Sequence, residues 1–115
     1  MTDVKPTVTL RDIREIARQI VERFHPRKVT LSGSYAEGKA TDNSDVDLLV
    51  VMETEEDPLH AAARISASID HPFPLDILVR RPAELHAYLA EKSMFETEVV
   101  TRGVTLYEEK DERMD

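Results

Sequence analysis

The chain has 115 residues, of which 41% are hydrophobic and 5% aromatic, and its formal net charge is −8. This length predicts a single domain, residues 1–115, with a core of mainly aliphatic side chains. The absence of cysteine excludes disulfides, thiolate zinc sites and cysteine nucleophiles. The acidic balance disfavours non-specific binding of nucleic acid, because such binding requires a basic surface.

The sequence contains no apolar run near the roughly 18 residues that span a bilayer. The N-terminus also lacks the apolar segment of a signal peptide. We therefore expect a cytoplasmic protein that makes no membrane contact. Residues 1–8 are predicted to form a loose leader, and residues 108–115 a charged tail.

The first half of the chain predicts one helix and two strands. Hydrophobic spacing indicates an amphipathic helix over residues 10–24, which begins at a capping box of Thr9 and Asp12. The strand Val29–Ser32 follows and leads into a Gly-Ser turn and a short helical turn. The second strand, Asp45–Met52, is nearly continuous in apolar residues, which is typical of a strand covered on both faces.

The second half alternates helices and strands. A helix begins at Asp57-Pro58, because aspartate favours the N-cap and proline the first helical position. The elements after it are a strand at Leu75–Val79, a helix from Pro82, a helical segment at Phe95–Thr101 and a strand at Val104–Tyr107. This order predicts a mixed α/β fold of the α+β type. We expect one small sheet of about four strands with helices packed mainly on one side.

Two carboxylates open the second predicted strand. Asp45 and Asp47 are two residues apart, so a β-strand directs both side chains to the same face. Like charges this close repel each other, and a divalent cation with a preference for hard oxygen ligands, such as Mg²⁺, is the usual compensation. The nearby turn at Gly33 and Ser34 can offer backbone N–H groups and a hydroxyl to a phosphate. The combination predicts a site for a metal-bound nucleoside triphosphate.

A third carboxylate, Asp76, lies in the otherwise apolar third strand. Its burial is unfavourable unless it is paired or binds a metal. If the third strand neighbours the second, Asp76 comes level with the first two carboxylates, and the three could hold two Mg²⁺ ions about 3.5–4 Å apart. Asp76 would then face the attacking hydroxyl and could accept its proton. The alternative is an ion pair of Asp76 with Arg80 or Arg81.

These motifs resemble those of nucleotidyltransferases of the DNA polymerase β superfamily. More narrowly, the chain resembles the minimal nucleotidyltransferases, small prokaryotic proteins that are often paired with a HEPN partner. The resemblance extends from the first helix to Tyr107. It implies a metal-binding carboxylate triad at Asp45, Asp47 and Asp76, and contacts with the triphosphate at Gly33 and Ser34.

The chain departs from this family at one position of the phosphate loop. Many relatives have arginine after the alanine of the Gly-Ser-x-Ala motif, where this chain has Glu37. An acid beside a triphosphate is unfavourable by Coulomb's law. Lys39 is the residue that could supply the missing positive charge.

The resemblance implies an antitoxin that transfers AMP from ATP to a tyrosine hydroxyl of a HEPN toxin. A second hypothesis is a non-catalytic module that neutralises such a partner by complex formation, and Glu37 favours it. A third is transfer to tRNA ends or a small molecule, which the acidic charge disfavours. Since the chain is too short for a second, acceptor-binding domain, the acceptor surface is expected from another protein or from a second copy in a homodimer.

Overall fold

The computed structural model describes residues 8–110, so most of the predicted leader and residues 111–115 of the predicted tail lie outside the described residues. The described chain contains five helices and four strands. In chain order they are α1 (Leu10–Phe24), β1 (Lys28–Ser32), α2 (Gly33–Glu37), β2 (Val46–Val51), α3 (Pro58–Ser68), β3 (Leu75–Arg80), α4 (Pro82–Ala90), α5 (Met94–Arg102) and β4 (Val104–Glu108). No helix among these residues is long and apolar enough to cross a membrane.

Helix α1 begins and ends where the local sequence predicts. The Thr9 hydroxyl accepts a hydrogen bond from the backbone N–H of Asp12, and the Asp12 carboxylate accepts one from the backbone N–H of Thr9. The helix ends at His25, which has a left-handed φ of 51°, and Pro26 follows it. Its buried residues fall on one face and are Ile13, Ile16, Ala17 and Ile20.

The four strands form one mixed sheet in the order β3-β2-β1-β4. Strand β1 is antiparallel to both β2 and β4, whereas β2 and β3 are parallel. The parallel pair is joined by α3, as a parallel connection requires a crossover. The predicted mixed α/β class and the number of strands are confirmed.

The sheet is covered on both faces, to different extents. The larger core joins α1 and α3 to one face of the strands, as the sequence predicts for the main helical layer. A smaller cluster on the opposite face consists of Leu49, Val51 and Val99, with Leu78 and Leu85 packed against it. Helices α4 and α5 therefore cover part of the second face, which explains why β2 is apolar on both sides.

Candidate active site

The parallel pairing of β2 and β3 brings two of the predicted carboxylates together. Asp47 is the second residue of β2, Asp76 is the second residue of β3, and the two are direct partners in the register. Partners on adjacent strands project from the same face of a sheet, so the two carboxylates lie side by side. The condition that the third strand neighbours the second is therefore met, and Asp76 is level with Asp47.

The antiparallel pairing of β1 and β2 brings the glycine turn to the same place. Ser32, the last residue of β1, is the register partner of Asp47, so Gly33 begins α2 directly beside that carboxylate. Gly33 has a φ of +73°, and a Cβ atom added there would lie 2.3 Å from Oδ2 of Asp47. Glycine is therefore needed both for the left-handed backbone and for the close approach of backbone to carboxylate.

The carboxylates interact electrostatically. Burial raises the pKa of Asp47 above its ordinary value, and the negative charges of Asp76 and Asp45 raise it further. Asp45 is exposed and immediately precedes β2. The raised pKa means that ionisation of Asp47 is less favourable than for a solvated aspartate, as expected for a group that a bound cation would stabilise.

The donor chemistry of this site fits a divalent metal ion, although the three carboxylates do not converge. Among residues 8–110, no group of three or more His, Cys, Asp or Glu side chains is arranged to hold a metal ion. The register pair Asp47–Asp76 supplies hard oxygen ligands whose mutual repulsion a cation would relieve. Asp45 is close enough to perturb Asp47, but it does not line the cavity described below.

The arginines that offered an alternative partner for Asp76 have other contacts. Arg80 donates from Nε and Nη2 to Oε2 of Glu96, at 3.3 and 3.2 Å. Arg81 donates to the carbonyls of Thr54 and Glu56, in addition to its pair with a glutamate on α4. Ion pairing with these residues therefore does not account for Asp76 in the strand. The expectation that Asp76 is buried is wrong, because Asp76 is exposed and water can solvate its carboxylate without a charged partner.

The remaining two predicted nucleotide-binding residues, Ser34 and Lys39, do not line the cavity that contains Asp47 and Asp76. Ser34 is half-buried in the first turn of α2, and its carbonyl accepts from the backbone N–H of Lys39 at 2.9 Å. The Lys39 ammonium lies 3.7 Å from Oε1 of Glu37 and is largely exposed. Neither Ser34 nor Lys39 lines the cavity next to the carboxylates.

A cavity of about 500 Å³ extends from the carboxylate pair across the second face of the sheet. This volume is in the range of small-molecule sites. One wall is a stripe of α5 consisting of Phe95, Glu98, Val99 and Arg102, which recur with i, i+3, i+4, i+7 spacing. Ser32, Glu37 and the exposed Leu59 also line it.

The sequence analysis did not assign the α5 stripe or Ser32 to the candidate site. The helical spacing of the α5 stripe was the available signal, but it does not show which part of the sheet the helix covers. Ser32 was assigned only to the end of a strand. Its Oγ lies 3.4 Å from the backbone carbonyl of Asp47, which joins the ends of β1 and β2 below the cavity.

The family model of the nucleotidyltransferase domain matches residues 10–100, which is most of the chain and includes the carboxylates, the glycine turn and the α5 stripe up to Val99. The chain belongs to the nucleotidyltransferase domain family. This match confirms the resemblance to minimal nucleotidyltransferases and the assignment of the chain as a nucleotidyl-transferring enzyme. Comparison with curated proteins yields no significant match.

Solved structures similar to this nucleotidyltransferase support the fold. A candidate nucleotidyltransferase from Sulfolobus solfataricus superposes with a TM-score of 0.57 at 21% identity, over 84% of this chain and 77% of that chain. A toxin-antitoxin complex with AMP-PNP gives a TM-score of 0.54 at 21% identity, over 84% and 74%. The toxin-antitoxin MntA-HpeT, carrying two Asp-to-Glu substitutions two positions apart, gives a TM-score of 0.53 at 20% identity, over 89% of this chain and 75% of that chain.

Proposed function

We propose that this nucleotidyltransferase transfers AMP from ATP to a tyrosine hydroxyl of a partner protein, a HEPN-type toxin, and thereby acts as its antitoxin. The observation that carries the proposal is the Asp47–Asp76 pair beside Gly33 at the end of the cavity. Two structural neighbours are toxin-antitoxin complexes, and one of them was solved with an ATP analogue. The neighbour with two substituted aspartates has them two positions apart, which is the spacing of Asp45 and Asp47.

In this proposal Asp47 and Asp76 would hold Mg²⁺, with Asp45 beside Asp47 as a further ligand, and Asp76 would face the acceptor. Bound Mg²⁺ would offset the charge of the triphosphate and lower the pKa of the attacking hydroxyl. Gly33 and Ser34 would contact the triphosphate. The tyrosine oxygen attacks the α-phosphorus, a new O–P bond forms, and the bond to the β-phosphate oxygen breaks to release pyrophosphate. Asp76 accepts the hydroxyl proton.

The test compares Asp47→Asn and Asp76→Asn with the wild type and with Asp70→Asn, an exposed aspartate away from this cavity. The assay co-expresses each variant with a HEPN-type protein and follows transfer of label from α-phosphate-labelled ATP to that protein. Both site variants should lose transfer, whereas Asp70→Asn should retain it. Transfer at the wild-type rate by Asp47→Asn would contradict the mechanism.

The same variants separate a catalytic from a folding defect. Because Asp47 has a raised pKa, its charge destabilises the folded protein at neutral pH, and Asp47→Asn removes that charge. Asp47→Asn should therefore melt at or above the wild-type temperature in metal-free buffer. A strongly lowered melting temperature would mean that its lost activity reports on folding instead.

A second candidate function is neutralisation of the partner by binding alone. The observation in its favour is the acidity of the cavity, which is lined by Glu37, Asp47, Asp76 and Glu98. Such a wall repels a triphosphate unless cations compensate it. If Asp47→Asn and Asp76→Asn still suppress the toxicity of the partner in cells, complex formation is sufficient and catalysis is not required.

A further inference from the structure

The cavity contains one cationic side chain among its lining residues, Arg102 at the end of α5. The charged groups that share the cavity wall are four carboxylates, of Glu37, Asp47, Asp76 and Glu98. A Mg²⁺ ion on the Asp47–Asp76 pair would neutralise part of this charge. The two glutamates would still repel a polyanionic nucleotide, and a positive charge in the same cavity would offset that repulsion.

The other cations near the site are already engaged. Lys39 pairs with Glu37 and lies outside the cavity lining. Arg80 and Arg81 contact glutamates and backbone carbonyls away from the carboxylate pair. In the part of the chain that the structure describes, Arg102 has no carboxylate within the 4.0 Å of a salt bridge, although Glu98 lies one turn before it.

The backbone next to Arg102 is held closely against β1. A Cβ atom on Gly103 would lie 2.9 Å from the carbonyl oxygen of Leu31 and 2.4 Å from that of Val99. The backbone N–H of Gly103 also donates to the Val99 carbonyl at 2.8 Å, which ends α5. Only glycine allows this contact, and it holds the end of α5 beside the strand that leads into Gly33.

We propose that Arg102 binds the phosphate oxygens of the nucleotide in this cavity. The assignment rests on the proposed function and adds a phosphate-binding residue to it. A guanidinium presents planar paired donors that match phosphate oxygens, which a lysine ammonium does not. In this chain Arg102 would provide, from the opposite wall, the cation that the phosphate loop lacks at Glu37.

Stabilisation of the α5 C-terminus is the structural explanation that the experiment must separate from phosphate binding, because cations favour helix C-termini. Arg102→Lys keeps a cation there and preserves that role, whereas it removes the paired donors. Arg102→Ala removes both. Arg11→Ala is the matched control, since Arg11 is an exposed arginine of α1, the helix that packs on the opposite face of the sheet.

The measurement is calorimetric titration of each variant with Mg-ATP at two ionic strengths. Loss of a charge-assisted contact should weaken Mg-ATP binding by Arg102→Ala about 10- to 100-fold, with Arg102→Lys intermediate and Arg11→Ala unchanged. Binding by Arg102→Ala should also depend less on salt than binding by the wild type, because a screened charge pair is gone.

The outcomes distinguish this assignment from the proposed function. If the wild type and Arg102→Ala bind Mg-ATP equally tightly and with equal salt dependence, Arg102 does not bind phosphate, and the proposed function is unaffected. If the wild type itself binds no Mg-ATP, both are refuted. If Arg102→Ala fails to fold, Arg102→Gln and Arg102→Lys replace it, and binding by both at the wild-type affinity refutes the assignment.

Discussion

Substitution of Gly33 by alanine tests the geometry of the site without removing any of its functional groups. Gly33 and Gly38 have nearly the same left-handed φ, +73° and +74°, but their surroundings differ. A Cβ atom at Gly33 would lie 2.3 Å from Oδ2 of Asp47, whereas one at Gly38 would meet nothing within 4 Å. Gly38→Ala is therefore a matched control that carries the backbone strain alone.

The expected loss of stability is similar for the two variants. Alanine in the left-handed region costs about 1–2 kcal/mol at either position. At Gly33 the Asp47 carboxylate must also move by roughly 1 Å to restore ordinary contact, and an off-rotamer side chain costs about 0.5–1.5 kcal/mol. Thermal unfolding should place Gly33→Ala about 2–10 °C below Gly38→Ala.

The expected effect on function is much larger, because the displaced carboxylate is the one that pairs with Asp76. A misplacement of about 1 Å in a catalytic group can cost roughly 100-fold in rate. Gly33→Ala should therefore transfer AMP about 100-fold more slowly than Gly38→Ala, measured at a temperature where both are folded. A folded Gly33→Ala that transfers within about threefold of Gly38→Ala would refute the reasoning.

Three further predictions concern stability. Glu96→Gln breaks the buried ion pair with Arg80 and should cost about 3 kcal/mol in urea unfolding, whereas exposed Glu91→Gln should cost almost nothing. Burial alone would raise the pKa of Glu96, but hydrogen bonds from Ser93, its own backbone N–H and Arg80 outweigh it and hold that pKa below its usual range. The wild type should therefore be more stable than Glu96→Gln by the full amount above about pH 4.3, and this difference in unfolding free energy should disappear as the pH falls through the lowered pKa of Glu96. A difference that persists in acid would contradict this explanation. Ile65→Ala should lower the free energy of unfolding by about 2–5 kcal/mol, because Ile65 is 0% exposed. Leu59→Ala on the same helix should lower it by less than about 0.5 kcal/mol, because Leu59 is 76% exposed.

Much of the fold follows from local signals in the chain. The capping box at Thr9, the N-cap at Asp57 and the glycine at position 103 mark helix boundaries that the structure reproduces within one or two residues. Hydrophobic spacing also distinguishes α1 from the strands. These signals are readable because caps and periodicity depend on neighbours within a few residues of each other.

The placement of helices around the sheet is less predictable. The apolar run of β2 indicates that both faces of the sheet are covered, but it does not show that α5 covers part of the second face. The decisive contact is the close packing of Gly103 on Leu31, which are 72 positions apart by their numbers. Contacts over such separations depend on the whole arrangement of the chain, so the cavity wall with Arg102 is visible only in three dimensions.

The sequence by itself predicted the functional groups of the candidate site: a glycine turn after one strand, Asp47 at the start of the next with Asp45 just before it, and Asp76 in a third. Period-two alternation is a property of a single strand, and it needs no partner. Only the tertiary structure decided that Asp76 is the register partner of Asp47 and that Gly33 lies against the same carboxylate. The reason is that register between strands is set by the packing of both sheet faces, which no single segment encodes.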